Sequence, residues 1–426
     1  MSLRTIATFA MMTVITVAEG VSPILLVPGM RGSQLYSREE PCHKPPCQWK
    51  GLWMHSRLIT HHKDIKLEYD QASNTYHNQS GIGIKAVGFG VTCRVEYLFA
   101  SGNEKECGPR IKRSEYLHHF VEYFVKNFGY ERDRTIRAAP YDFRMTPEHH
   151  EQRGYYSSLK KLVEEMYEDG GNTKVTLVVH SMGAPVTLYF LNNVVDQDWK
   201  DTYIHAFVPL AGAWSGGNAV LRSLISGMTL KELIPVDLSG TPDHVSRGGR
   251  TQVIENSFRG LLDQVPKLTK DVVRTLPGVL LMLPNATVWK DKVLVKTDSR
   301  DYTASDYEAL FTDADYPLGF TMYSNGITGI NAGYPAPNVP VYCFYGTGIP
   351  TEESFYYNNG FEESPIITTG PGDGTVNDLS SEVCLEWAGG AQQQHFESRN
   401  FEGVHHNKIV THPEVLEAVK DIVTSI

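Results

Sequence analysis

Two spacings of apolar residues alternate along the first half of the chain. Residues 24–27 form an unbroken run, Ile-Leu-Leu-Val, that stops at Pro28-Gly29. Residues 116–127 carry Leu117, Phe120, Val121 and Phe124, and residues 155–167 carry Leu159, Leu162, Val163 and Met166. Steps of three and four put each set on one face of a helix. Residues 175–179 read Val-Thr-Leu-Val-Val, a β-branched run that predicts a parallel strand buried on both faces. Residues 185–192 predict a helix, with Pro185 tolerated in its first turn. Residues 207–210 and 339–344 predict two more strands. Thr411-His412-Pro413-Glu414 has the spacing of a capping box. The helix it would open shows Val415, Leu416, Val419, Ile422 and Val423 on one face. Strands alternating with helices predict an α/β sheet.

Two stretches break this rhythm. Residues 42–107 carry Pro, His and Trp without a clean period. Residues 215–333 are long and irregular and include a Gly/Ser/Pro-rich segment at 239–249. Both read as inserts on the α/β core, where such folds carry substrate specificity. No internal repeat or low-complexity tract is present. The N-terminus is different again: Arg4 precedes an apolar run at 6–17, followed by Ala18-Glu19-Gly20. A stretch of twelve residues falls short of the roughly 20 that span a bilayer, so residues 1–20 read as a secretory signal peptide. The apolar stretch 276–283 contains Pro277 and Gly278 and is expected in the core.

With 426 residues, the chain fits one enlarged domain at 21–426. Lys plus Arg is 39 and Asp plus Glu is 49, a net charge of 39 − 49 = −10, which argues against a nucleic-acid partner. A mean hydropathy of −0.28 excludes a multi-span membrane protein. Six cysteines fit the oxidising route that a signal peptide implies. Of the 15 possible connectivities, proximity favours Cys42–Cys47, Cys93–Cys107 and Cys343–Cys384. Asn78-Gln79-Ser80 and Asn285-Ala286-Thr287 are glycosylation sequons at Asn78 and Asn285.

The chemistry centres on Val179-His180-Ser181-Met182-Gly183, between the predicted strand and the Pro185 helix. This is the strand–turn–helix setting of a nucleophile elbow, although Val179 stands where the motif has its first glycine. A serine hydroxyl needs a base to take its proton, and the base needs a third group to hold its tautomer. In this fold class the chain order is Ser, acid, His. Asp373, in Gly372-Asp373-Gly374-Thr375-Val376, lies 373 − 181 = 192 residues after Ser181. His405-His406 follows just before the last helix. Adjacent side chains in an extended segment point to opposite sides, so one ring serves. His405 would place Asn407 two residues on. His406 keeps Gly403 three residues upstream and aligns the following helix, and is the expected base. The amides of Met182 and of Met30, in Pro28-Gly29-Met30-Arg31-Gly32, are the expected oxyanion donors. His149-His150-Glu151 lacks the spacing of a zinc motif and no Gly-rich nucleotide loop occurs, so neither metal nor cofactor is expected.

Five segments recur in order: Leu26-Val27-Pro28-Gly29, Ala138-Ala139-Pro140-Tyr141-Asp142-Phe143-Arg144, His180-Ser181-Met182-Gly183, Tyr345-Gly346-Thr347-Gly348-Ile349-Pro350-Thr351 and Gly372-Asp373-Gly374-Thr375-Val376. Together they resemble the lecithin:cholesterol acyltransferase family, which includes a lysosomal phospholipase A that also transfers acyl groups to ceramide. The likeness runs from about residue 22 to the C-terminus and is loose in both inserts. It implies an α/β-hydrolase fold with a membrane-binding insert at 42–107 and a cap with a mobile lid at 215–333, the lid falling at 239–249. It also implies Ser181 as nucleophile, Asp373 as acid, His406 as base, and Cys343 with Cys384 as the family's C-terminal disulfide. Asp142 and Arg144 match the family's Tyr-Asp-x-Arg signature and read as a structural ion pair.

Two departures stand out. The family's membrane-binding loop lies inside a much longer disulfide than Cys42–Cys47, which encloses four residues. Trp49 and Trp53 therefore fall just outside it; they are the expected lipid anchors, with core packing as the alternative. The lysosomal members carry an acidic residue where this chain has Met30, which removes one reason to expect an acid optimum.

The implied activity is acyl transfer from a glycerophospholipid to water or a lipid alcohol, at a phospholipid membrane or lipoprotein surface. The expected protein is a monomer, extracellular or lysosomal. A carboxylesterase for soluble esters and an inactive lipid-binding hydrolase fold are the other readings.

Overall fold

A computed structural model describes residues 20–43, 45–55, 57–108, 110–228, 267–326, 333–389 and 394–426. The expected signal peptide, apart from Gly20, and the expected lid at 239–249 lie outside these residues. Six parallel strands form the central sheet: β1 (Ile24–Val27), β2 (Ile136–Ala138), β3 (Val175–His180), β4 (Ile204–Leu210), β5 (Val341–Thr347) and β6 (Phe396–Glu402). Their spatial order is β6-β5-β4-β3-β1-β2.

The two-residue repeat of a strand sorts the core into two layers. Ile24, Leu26 and Val178 face one side, among Phe120, Phe124, Val415 and Val419. Those residues belong to α1 (His118–Phe128) and α4 (Pro413–Thr424). Leu25, Val27, Leu177 and Val179 face the other side, among Leu159, Val163, Ala184 and Val186. Those come from α2 (Tyr155–Asp169) and α3 (Gly183–Tyr189). Every residue of β3 is buried, because helices cover both faces. Each large apolar side chain buried this way contributes roughly 1.5–3 kcal/mol. This sandwich of parallel sheet and helices, with the elbow described below, is an α/β-hydrolase fold.

Two local readings are corrected. The helix expected at 185–192 begins at Gly183 and passes at Phe190 into a π turn, Phe190–Val194. No capping box opens α4: the Thr411 hydroxyl donates to the Lys408 carbonyl at 3.0 Å, inside a preceding 3₁₀ turn. Pro413 at the first helical position starts the helix instead.

Two smaller sheets flank the core. Leu35–Glu39 pairs antiparallel with Lys50–Trp53 on one side and Ile82–Ala86 on the other. Val295–Thr297 lies between Asp301–Tyr302 and Thr351–Tyr357, and Ile366–Gly370 forms the far edge. The first of these sheets begins ahead of Cys42, and the second draws two strands from beyond residue 333. Disulfides join Cys42 to Cys47, Cys93 to Cys107 and Cys343 to Cys384. The last tethers β5 to the 3₁₀ segment Glu382–Trp387, downstream of Asp373. Among the described residues, no helix is long and apolar enough to cross a membrane.

Candidate active site

Ser181 follows the last residue of β3 and has φ 55°, a left-handed conformation for a residue with a Cβ. Such a turn is strained by roughly 1–3 kcal/mol and persists only where its surroundings hold it. Here the Ser181 amide donates to the Leu210 carbonyl at 3.1 Å, and the Ser181 carbonyl accepts from the Ala184 amide at 3.0 Å. Gly183 is required by close approach: a Cβ there would lie 2.7 Å from the carbonyl oxygens of both Val27 and Pro28. Val179 creates no conflict at the other end of the motif. It is a fully buried strand residue, paired with Val27 and Pro209.

Asp373 lies beyond β5 and His406 beyond β6, so both approach Ser181 at the carboxyl ends of the parallel strands. The Ser181 hydroxyl lies 2.8 Å from His406 Nε2. His406 Nδ1 lies 2.7 Å from Asp373 Oδ2. Asp373 is fully buried, and its Oδ1 accepts from the Thr375 and Val376 amides at 3.0 and 2.8 Å. Burial alone would raise its pKa. His406 and the two amides outweigh burial and hold the carboxyl below its usual range. An ionised Asp373 accepts the Nδ1 proton and leaves the Nε2 lone pair facing the serine O–H. The His406 amide also donates to the Asp373 carbonyl at 2.9 Å. His405 is exposed while His406 is buried.

The loop after β1 packs against the elbow. A Cβ on Gly29 would sit 2.8 Å from the Cβ of Ser181. The Gly29 amide donates to the Tyr116 hydroxyl at 2.9 Å, and that oxygen lies 2.6 Å from His180 Nδ1. His180 Nε2 donates to the His406 carbonyl at 3.1 Å. Burial, followed by the neighbouring His406, pushes the His180 pKa down to about 3. Sequence reasoning missed Tyr116 and the role of His180. His180 was visible only as the unspecified residue of the elbow pentapeptide, and nothing in the spacing ties Tyr116 to it.

Other expected residues fall outside this constellation. Arg144 is fully buried and forms a bidentate pair with Asp142, at 2.9 and 2.7 Å, while also donating to the Ile65 carbonyl. This is the ion pair read from the sequence. Asn78 is partly buried, and its Oδ1 accepts from Arg144 Nη2 at 2.9 Å. Asn285 is the other expected glycosylation site. It is 6% exposed, and its Oδ1 caps Ala286–Trp289 by accepting from the Thr287 amide. Trp53 has the core-packing alternative's surroundings. It is 4% exposed, packs edge-on against Phe143, and donates to the Arg31 carbonyl at 2.9 Å. Trp49 is only partly buried, with Arg38 and Lys85 each 4.4 Å from its ring centre.

The family profile described as lecithin:cholesterol acyltransferase matches residues 49–326 and 324–416. The chain is 33% identical over 414 residues to the lysosomal phospholipase A and acyltransferase of Bos taurus, covering 94% of this chain and 91% of that protein. It is 33% identical over 404 residues to the phosphatidylcholine-sterol acyltransferase of Gallus gallus, covering 91% and 87%. The Homo sapiens lysosomal phospholipase A and acyltransferase is 33% identical over 387 residues, covering 88% and 83%.

Proposed function

The chain belongs to the lecithin:cholesterol acyltransferase family, and we propose that Ser181 carries its serine-dependent acyltransferase and phospholipase chemistry. The observation that carries this reading is the contact chain Ser181–His406–Asp373, at 2.8 and 2.7 Å. Ser181 Oγ attacks the carbonyl carbon of a phospholipid acyl ester while His406 Nε2 takes the hydroxyl proton. The Met30 and Met182 amides receive the oxyanion. Neither donates elsewhere among the described residues, whereas the neighbouring Gly29 amide is already engaged by Tyr116. As the intermediate collapses, the C–O bond to the lysolipid breaks and His406 returns the proton to that oxygen. Water or a lipid alcohol then gives a proton to His406 and attacks the acyl-serine, restoring the Ser181 hydroxyl. Throughout, the charge on Asp373 stabilises the transient imidazolium.

The substrate class follows from the family: phospholipid presented in a membrane or lipoprotein surface. Trp49 is the docking residue of this reading. Its indole suits a membrane interface, with Arg38 and Lys85, paired with Glu40 and Glu104, against its ring. Three disulfides fit folding in the oxidising secretory pathway, the route that also leads to the lysosome of the named relatives. The protein acts as a monomer. The test is product analysis on phosphatidylcholine vesicles, alone and with sterol or ceramide. Free fatty acid alone would make water the acceptor, and an acylated alcohol would identify the second substrate. No turnover on vesicles, with retained hydrolysis of soluble esters, would favour the carboxylesterase reading.

A further inference from the structure

Tyr116 and His180 link three segments in one hydrogen-bonded chain: the loop after β1, the elbow, and the loop carrying His406. The direction of every hydrogen bond in the chain is determined by its ends. The His406 carbonyl can only accept, so His180 Nε2 carries the proton of the 3.1 Å bond. His180 Nδ1 then has only a lone pair, and the Tyr116 hydroxyl at 2.6 Å donates to it. The same hydroxyl oxygen accepts from the Gly29 amide at 2.9 Å. Packing supports the chain: the His180 ring lies 4.9 Å from the His406 ring and 5.5 Å from the Tyr116 ring.

We propose that Tyr116 and His180 are positioning residues that lock the oxyanion loop and the base into register with Ser181. The proposal rests on Ser181 being the nucleophile. By accepting the Gly29 N–H, Tyr116 fixes the Pro28–Gly29 peptide, the unit next to the one that carries the Met30 amide, and so limits the conformers in which that amide can turn away from Ser181. By donating to the His406 carbonyl, His180 holds one end of the backbone of the base, while the Asp373 carbonyl accepts from the His406 amide at 2.9 Å. Neither side chain transfers a proton in the reaction. Burial keeps the Tyr116 phenol protonated and the His180 ring neutral, so the pattern does not change near neutral pH.

A relay that acts as a unit leaves a non-additive signature. Turnover of a soluble ester is measured per serine that reacts with a fluorophosphonate at end point, which corrects for misfolded protein. Tyr116→Phe removes one hydroxyl and is expected to lower this turnover about 10²-fold with KM little changed, the scale of a misplacement near 1 Å. His180→Leu is expected to match it, and the double variant to lose no more than a few-fold further. His180→Asn keeps an acceptor for Tyr116 while losing the donor to His406. It is expected to recover at least about tenfold over His180→Leu, and Tyr116→Phe is expected to remove that recovery. Turnover of Tyr116→Phe within threefold of wild type per labelled serine would overturn the proposal, as would single losses that multiply in the double variant. Absence of labelling at Ser181 in the wild type is a different failure: it would remove the nucleophile assignment itself.

Discussion

Acidification should unfold this protein earlier than its carboxylates alone dictate, because three histidines are buried without charge. His149, His150 and His180 are 4%, 2% and 4% exposed. Burial is the main cause of a lowered pKa in each, to about 4 for His149 and His150 and about 3 for His180. An unfolded histidine titrates near 6.5. The unfolded chain therefore binds protons first as pH falls, and stability that is complete above about pH 6.5 is lost below it. Over the interval from pH 7 to pH 5, linkage gives about 1.8 kcal/mol for each histidine and on the order of 5 kcal/mol for the three. That is comparable with the whole stability of many domains. Urea unfolding at pH 7.5, 6.5, 5.5 and 4.5, followed by tryptophan fluorescence, measures the loss. A midpoint that holds constant between pH 7 and pH 5 would refute the reasoning. In that case the histidines must take up protons in the folded state, and acid working conditions would be open to this chain. His150→Gln is expected to flatten the slope by about one third even if it lowers stability at pH 7.5.

Gly183→Ala drives a Cβ to within 2.7 Å of two backbone carbonyls. It should lower stability by about 1–3 kcal/mol and turnover by about 10²-fold, read from thermal melts and ester hydrolysis. His406→Ala should reduce turnover by at least about 10²–10⁴-fold, whereas His405→Ala, at an exposed site, should stay within tenfold; initial rates of the two variants decide. Trp49→Ser should weaken vesicle sedimentation and spare hydrolysis of a soluble ester. Trp53→Ser should instead lower the melting temperature, since it removes a buried ring and a hydrogen bond.

The central sheet was legible because its strands and helices have clean periods. The run at 175–179 reads as buried on both sides, and β3 is buried at every position. Ser181, Asp373 and His406 were legible from chain order and from turn residues that the elbow and acid loop need. The sheet around Val295–Thr297 was not legible, because that strand pairs with Thr351–Tyr357, a partner far along the chain. Local chemistry does not reveal the use that tertiary packing makes of a group. Asn285 carries a sequon but caps a short helix from inside the fold. Trp53 lies beside an exposed disulfide loop in sequence, yet its indole reaches back to Arg31 and Phe143. Thr411 has capping-box spacing, but its hydroxyl is used by the turn before the helix. Tyr116 was hidden for the same reason: its partners, Gly29 and His180, lie 87 and 64 residues away.

The central claim, that Ser181 is the acyl-bearing nucleophile, is tested most directly by the Ser181→Ala variant on phosphatidylcholine vesicles, with fluorophosphonate labelling of the wild type in parallel. The expected result is one label per chain, located at Ser181, and a variant that melts like the wild type but turns over on the order of 10⁶-fold more slowly. A Ser181→Ala variant retaining turnover within tenfold of the wild type would contradict it.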